Sequence, residues 1–195
     1  MCPVPELADR AKRCAERLDC EEVLLASHID ADGLSSAAIA VTALERAGVS
    51  TTVVFKNQLD DDAIASIANR DFETVLFTDF GSGQLETIVE HEAAGDFEPI
   101  VVDHHQPADA ETRYHLNPLL EGIDGASELS GAGASYLLAR AMGDNRDLAS
   151  LAVVGAVGDM QASEGELIGA NRTIVAEGMD AGVLEERTDL ALYGK

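Results

Sequence analysis

Three short runs, Val23–Ser27, Thr74–Thr78 and Pro99–Val102, each end abruptly in charged residues, and this constrains the fold more than any other feature of the chain. A run of four or five residues that is apolar through its middle, without alternation, is the pattern of a strand buried on both faces. The β-branched segment Val49–Phe55 reads as a further strand. Helical periods fill the spaces between them. Pro5–Leu18 places Leu7, Ala11, Cys14 and Leu18 on one face. Ser35–Arg46 stops at Gly48, Asp60, Asp61 and Asp62 open the next helix, and Gln84–Ala93 forms another. Strands alternating with helices predict right-handed βαβ crossovers, hence an α/β fold with a mostly parallel sheet flanked by helices. After Asp103 a loop runs through Asn117 and Pro118. A helical segment follows, with helices expected over Ala132–Met142, Asp147–Met160 and Glu166–Met179. Leu190–Lys195 reads as an element cut short.

The residues that end the strands carry the chemistry. His28, Asp30, Asp32 and Gly33 follow the first run, Asp79 follows the second, and Asp103, His104 and His105 follow the third. In open parallel sheets ligands bind beyond the carboxyl ends of the strands, so these segments should meet in one crevice. Aspartates gathered there repel one another and are costly to desolvate. A divalent cation removes that cost, and mixed oxygen and imidazole donors suit manganese, zinc or iron better than calcium. Asp159 closes the stretch Leu151–Gly158, which is apolar on nearly every side and reads as a buried helix. A charge at its end must be paired, metal-bound or a helix cap. His28-x-Asp30-x-Asp32-Gly33 also resembles half an EF-hand loop, but Ile39 stands where calcium needs a bidentate Glu. Asp30-x-Asp32 with Thr78 resembles the haloacid-dehalogenase phosphatases. That fold needs a phosphate-binding lysine, and Lys56, the one mid-chain lysine, is out of place for it.

Charge narrows the class of partner. The net charge of −23 is spread along the chain, while 46% hydrophobic residues exclude a disordered acidic tail. Such a surface repels nucleic acid at low salt, a repulsion that fades at molar salt where the Debye length is about 3 Å. We read it as a halophile-type surface, with an acidic mesophile protein as the alternative. No stretch approaches a membrane span and Met1–Arg10 lacks a signal layout, so a cytoplasmic protein without membrane association is expected. Cys2, Cys14 and Cys20 have no metal-binding or disulfide spacing and read as reduced thiols. The length of 195 residues fits one domain.

Taken together, Asp103-His104-His105, the upstream His28-x-Asp30-x-Asp32-Gly33, Asp79 between them and Gly158-Asp159 downstream resemble the DHH phosphoesterase superfamily. His104-His105-Gln106-Pro107, Asn117-Pro118, Gly131–Ser135 and Gly155–Gln161 are similar in particular to archaeal RecJ-like single-strand nucleases. The resemblance covers about residues 22 to 162. It implies two divalent ions, usually manganese, with magnesium an alternative. His28, Asp30 and Asp79 would hold one ion, and Asp32, Asp79, His104 and Asp159 the other. Asp103 would fix the His104 ring through its N–H, and His105 would face the substrate phosphate or assist the leaving oxygen. Gly33 would allow a tight turn or close approach to substrate. Gly131–Ser135 would offer backbone N–H groups to phosphate or simply cap a helix, and Arg113 is a candidate phosphate contact, with a surface salt bridge as its ordinary role.

The implied activity is manganese-dependent hydrolysis of phosphodiesters, in the manner of an exonuclease on single-stranded DNA or RNA. Two alternatives stay open: a phosphohydrolase acting on pyrophosphate, a cyclic dinucleotide or a short oligonucleotide, and a non-catalytic module that binds replication or repair proteins. Relatives usually carry a second, C-terminal substrate-gripping domain. The glycine-rich motif of that domain is not found here, where the chain has no Gly-Gly pair and closes on Tyr193-Gly194-Lys195. The whole chain, 1–195, is therefore expected to be a lone DHH domain.

Overall fold

Every one of the buried runs forms a strand, and all are parallel. In the computed structural model, which describes residues 2–162 and 165–187, the strands are β1 (Glu22–His28), β2 (Ser50–Lys56), β3 (Thr74–Thr78), β4 (Glu98–Val102) and β5 (His115–Leu116). They form one sheet in the order β2-β1-β3-β4-β5. The helices are α1 (Ala8–Arg17), α2 (Ala31–Ala47), α3 (Asp61–Ala68), α4 (Leu85–Ala94), α5 (Gly131–Met142), α6 (Ala149–Gly158) and α7 (Gly169–Asp180). Leu190–Lys195 lies outside the described residues. No described helix is long and apolar enough to cross a membrane.

Two apolar clusters sandwich the sheet, as a parallel sheet buried on both faces requires. α1, α2 and α5 cover one face through Ala11, Cys14, Ile39, Leu44, Tyr136 and Leu137, together with Leu25, Leu76 and Ile100 of the sheet. On the other face Ile64, Ile67, Leu85 and Ile88 of α3 and α4 meet Leu24, Val75, Phe77 and Val101. Register aligns Ser27 with Thr78, Thr78 with Val102 and Val102 with Leu116. The next residues, Asp79, Asp103 and Asn117, therefore leave the sheet at one level along its carboxyl edge.

The structure departs from the sequence reading in several places. Helix α2 begins at Ala31 rather than Ser35, because Asp30 caps it by accepting a hydrogen bond from the Gly33 N–H at 2.9 Å. Strand β5 sits where the sequence reads as a loop; it has two residues, too few to show any period. Helix α6 is not enclosed on all sides, since Val154 and Val157 on its outer face are 57% and 51% exposed. Its inner face meets α2 through glycine: a Cβ at Gly155 would lie 3.2 Å from the Ser35 Cβ, and one at Gly158 2.6 Å from the Ala31 Cβ.

Candidate metal centre

The carboxyl edge gathers the predicted donor residues into one cluster. Groups of donor atoms lying within 4.8 Å of one another are His28, Asp30 and Asp79; Asp32, His104 and Asp159; and Asp79, Asp103, His104 and His105. Asp79 belongs to two of these groups and lies between the others. Its backbone adopts φ 61, a left-handed conformation that aspartate tolerates better than most residues, while its N–H still pairs with the Val102 carbonyl at 3.0 Å. The turn aims the carboxylate back over the sheet edge. It fits there because Gly131 opens α5 without a side chain; a Cβ at that position would lie 2.4 Å from Asp79 Oδ1.

Asp32 projects from the first turn of α2 and is 2% exposed. Its two oxygens accept the Gly131 and Ala132 N–H groups at 2.7 and 2.9 Å. The free N–H groups at the start of α5, for which the sequence left phosphate or plain capping open, are thus taken by a carboxylate of the protein itself. Ser130, not Ser135, caps that helix, accepting from the Gly133 N–H. Ser135 lies fully buried one turn further in. Gly33 sits in the first turn of α2, where a Cβ would come within 2.4 Å of the His28 carbonyl oxygen. It serves the packing of β1 against α2. Arg113 also falls away from the cluster. It precedes β5 on the amino side of the sheet and lies over the Tyr114 ring, 5.3 Å from its centroid.

Two histidines of the cluster are set by backbone carbonyls. A carbonyl only accepts, so His104 Nδ1 must donate to the Gly125 oxygen at 2.7 Å, and His28 Nε2 to the Asn57 oxygen at 3.1 Å. The opposite nitrogens face carboxylates. His104 Nε2 stands 3.3 Å from Asp79 Oδ1 and 3.7 Å from Asp32 Oδ2; His28 Nδ1 stands 2.9 Å from Asp30 Oδ2 and 3.8 Å from Asp79 Oδ2. This corrects the role expected for Asp103, which does not hold the His104 ring. Its Oδ1 instead accepts from His105 Nδ1 at 2.8 Å and from the His104 backbone N–H, while Oδ2 accepts from the Ser82 N–H. Asp103 thereby orients His105.

Sequence reading missed several supporting residues. Gln161 Nε2 donates both to the Gly125 carbonyl and to Asp159 Oδ2, joining the acceptor of His104 to a second carboxylate of the cluster. Asn171 Nδ2 holds Gln161 Oε1 at 2.6 Å. Asn117 Nδ2 bridges the His105 carbonyl and Ser82 Oγ, and Ser82 Oγ lies 2.9 Å from His115 Nε2. Gln161 and Asn117 stand in the strings that carry the family resemblance, the one signal that marks them. Gly125 and Ser82 act through backbone groups, which no residue type announces. Thr78, the candidate second phosphatase motif, spends its hydroxyl on Ser27 inside the sheet.

The electrostatics call for a cation. Asp79 Oδ1, Asp79 Oδ2 and His104 Nε2 are buried with no hydrogen-bond partner among the described residues. Leaving three such atoms unsatisfied costs several kcal/mol in sum, at about 1–3 kcal/mol each. Burial pushes the Asp79 carboxyl up to about 8, and the neighbouring Asp32 charge adds to the rise. Burial also raises Asp32, against the N–H groups of α5. For His104 burial works to lower the pKa, but the facing Asp79 and the Gly125 carbonyl outweigh it and lift the ring to about 10. The group thus holds on to protons in place of positive charge. The residues fit a divalent ion: carboxylate and imidazole donors converge, and second ring nitrogens and carboxylate oxygens are fixed by outer partners. Beside this cluster lies a cleft of about 470 Å³, whose walls include His28, Asp30, Asn57, Gln58, Asp79, Gln84 and His105.

These features can be set against known proteins. The N-terminal domain of the DHH family matches residues 22–156. An uncharacterized protein of Methanocaldococcus jannaschii is 37% identical over 159 residues, covering 77% of this chain and 35% of that protein. Exonuclease RecJ bound to manganese superposes with a TM-score of 0.73 at 24% identity, over 92% of this chain and 49% of that one. RecJ from Thermus thermophilus in complex with Mn2+ gives 0.67 at 26% identity, over 91% of this chain and 27% of its own. CDC45 from Entamoeba histolytica shares the fold at a TM-score of 0.53 and 19% identity, over 92% of this chain and 36% of its own. The chain therefore spans half or less of the length of each of these proteins.

Proposed function

The chain belongs to the DHH family, and on that premise we propose that it is a metal-dependent phosphoesterase, a hydrolase that cleaves phosphodiester bonds in single-stranded DNA or RNA with two manganese ions. The observation that carries this reading is the set of buried, unpartnered atoms, Asp79 Oδ1 and Oδ2 and His104 Nε2, at the centre of the carboxylate and histidine cluster. RecJ proteins of the same fold were solved with manganese, and one with magnesium.

In this reading His28, Asp30 and Asp79 hold one ion, Asp32, His104 and Asp159 hold the other, and Asp79 serves both. Bound ions would supply an ionised water at neutral pH and neutralise charge on the phosphoryl oxygens. The chain's own groups complete the reaction. Gly125 and Asn57 hold the two imidazoles in the tautomer that leaves a ligating nitrogen. Asp103 holds His105 by its Nδ1–H, leaving Nε2 for the cleft that His105 lines. There it would donate a proton to the oxygen that departs as the P–O bond breaks. The acidic surface fits work at high salt, where repulsion of a nucleic acid is screened.

End-labelled single-stranded DNA and RNA, incubated in high KCl with manganese or EDTA, test the proposal. A manganese-dependent ladder of mononucleotide steps is expected, and the labelled end gives the polarity. Intact substrate alongside measurable manganese binding would contradict the nuclease reading and favour a smaller phosphate ester or a binding role.

A further inference from the structure

We infer that two copies of this chain associate through the free edge of β2, joining their sheets into one and packing α2 of each copy against α2 of the other. β2 ends the sheet order, and among the described residues no strand pairs with its outer edge. It is as long as β1, pairs with it without a break over Ser50–Lys56 and contains no proline. Edges that face water are ordinarily short, bulged or guarded by charge. Here the single charge is Lys56, at the very end of the strand.

The side chains above this edge lack cover. Val53 is in register with Leu25, which faces the α2 layer, so Val53 and Phe55 point to that face as well. They are 36% and 45% exposed there. Three sides of α2 are accounted for, since Ala37, Ala40 and Leu44 lie on the sheet, Asp32 reaches α5 and Ser35 meets α6. The remaining side, toward the edge of β2, carries Leu34, 49% exposed, with Ala38 and Val41. In a chain with 25% charged residues, Gly33–Leu44 and Ala47–Phe55 have none, so this side is a gap in an acidic surface.

A second copy fits the gap. A two-fold axis through Val53 pairs the strands antiparallel, setting Thr51 opposite Phe55, Thr52 opposite Val54 and Ser50 opposite Lys56, with no like charges facing. Strands lie about 4.8 Å apart, so helices seated over the β1–β2 pair of each copy come to about 10 Å across the axis, the usual spacing of packed helices. Leu34, Ala38 and Val41 would then close the seam over Val53 and Phe55. The side is about 25 Å long and two layers, roughly 20 Å, deep, which makes about 1,000 Å² for the pair, the lower bound for a specific interface. Antiparallel pairing sends the two carboxylate and histidine clusters to opposite ends of the shared sheet, so the inference stands apart from what those clusters do.

Sedimentation equilibrium over a wide range of concentration, in low and in high KCl, tests it. The mass is expected to rise from one chain toward two, and more readily in high KCl, which screens repulsion between copies that each carry a charge of −23. Val53→Lys sets like charges against each other on the axis and should weaken association about tenfold or more. Circular dichroism and, by calorimetric titration, manganese binding like the parent's would show that the variant is folded. Ala38→Glu sets carboxylates against each other between the helices and decides the matter if Val53→Lys fails to fold. A parent that stays monomeric at every concentration, or a dimer that a folded Val53→Lys leaves intact, would overturn the inference.

Discussion

Two buried histidines, His104 and His115, sit in opposite chemical situations. They are 6% and 5% exposed, and each has a ring nitrogen engaged by a neutral partner, the Gly125 carbonyl or the Ser82 hydroxyl. Burial acts on both to disfavour the charged ring. At His115 burial wins and lowers the ring to about 4. At His104 the carboxylates of Asp79 and Asp32 reverse the outcome and lift the ring to about 10. Burial by itself therefore says little about where the chemistry lies. What sets the site apart is several buried carboxylates gathered round one ring, and His115 on β5 is the internal control.

Breaking the His104 side should have the largest effect. His104→Ala removes the proposed ligating nitrogen from the centre of the cluster, and manganese affinity and phosphodiesterase activity should fall by more than the roughly 10–100-fold that loss of an outer partner costs. Assays of both would show it, and near-normal values would place the cation elsewhere. Next comes Asp79→Asn, which keeps the shape and tolerates φ 61 but removes the buried charge. Without metal this variant should be more stable than the parent at neutral pH by about 2 kcal/mol, since it removes a carboxylate that burial disfavours and that Asp32 repels. A chain of this size should then melt roughly 4–8 °C higher in EDTA.

His115 sharpens the comparison from the other direction. Its folded pKa of about 4 lies below the ordinary value of 6.5, so between those two pH values the unfolded chain binds a proton that the folded chain refuses. Stability from this group is complete above pH 6.5 and is lost as pH falls toward 4, on the order of 3 kcal/mol in total. His115→Gln should flatten the acid side of the stability profile measured by urea unfolding, and a profile parallel to the parent's would refute the assignment. Gln161→Ala should have the smallest effect. Losing its bonds to Gly125 and Asp159 should weaken manganese binding about tenfold, as the same calorimetric titration would read.

Much of this site is legible in the sequence alone. The runs that form β1, β3 and β4 are buried on both faces, so their patterns lack polar interruptions and their ends are sharp. Parallel order then brings His28, Asp79 and Asp103 to one edge without further information. Two surprises within the site, what holds the His104 ring and what occupies the start of α5, share a cause, for they concern backbone groups. The Gly125 carbonyl that fixes His104 lies 21 residues away, and no side chain advertises it. The N–H groups at the start of α5 do form an anion site, but Asp32, about 100 residues away in the chain, supplies the anion. An all-apolar α6 shows no preferred face in its sequence, so the exposure of Val154 and Val157 cannot be read from period. Neither can the two-residue β5, which owes its existence to pairing with β4.

The central claim is that the unpartnered charge around Asp79 is a divalent metal site. Calorimetric titration of the EDTA-stripped chain with Mn2+ in high KCl, run beside Asp79→Asn, tests it most directly. The account predicts two ions per parent chain and no tight binding to the variant. Absence of manganese binding by the parent, or equal binding by both proteins, would contradict it.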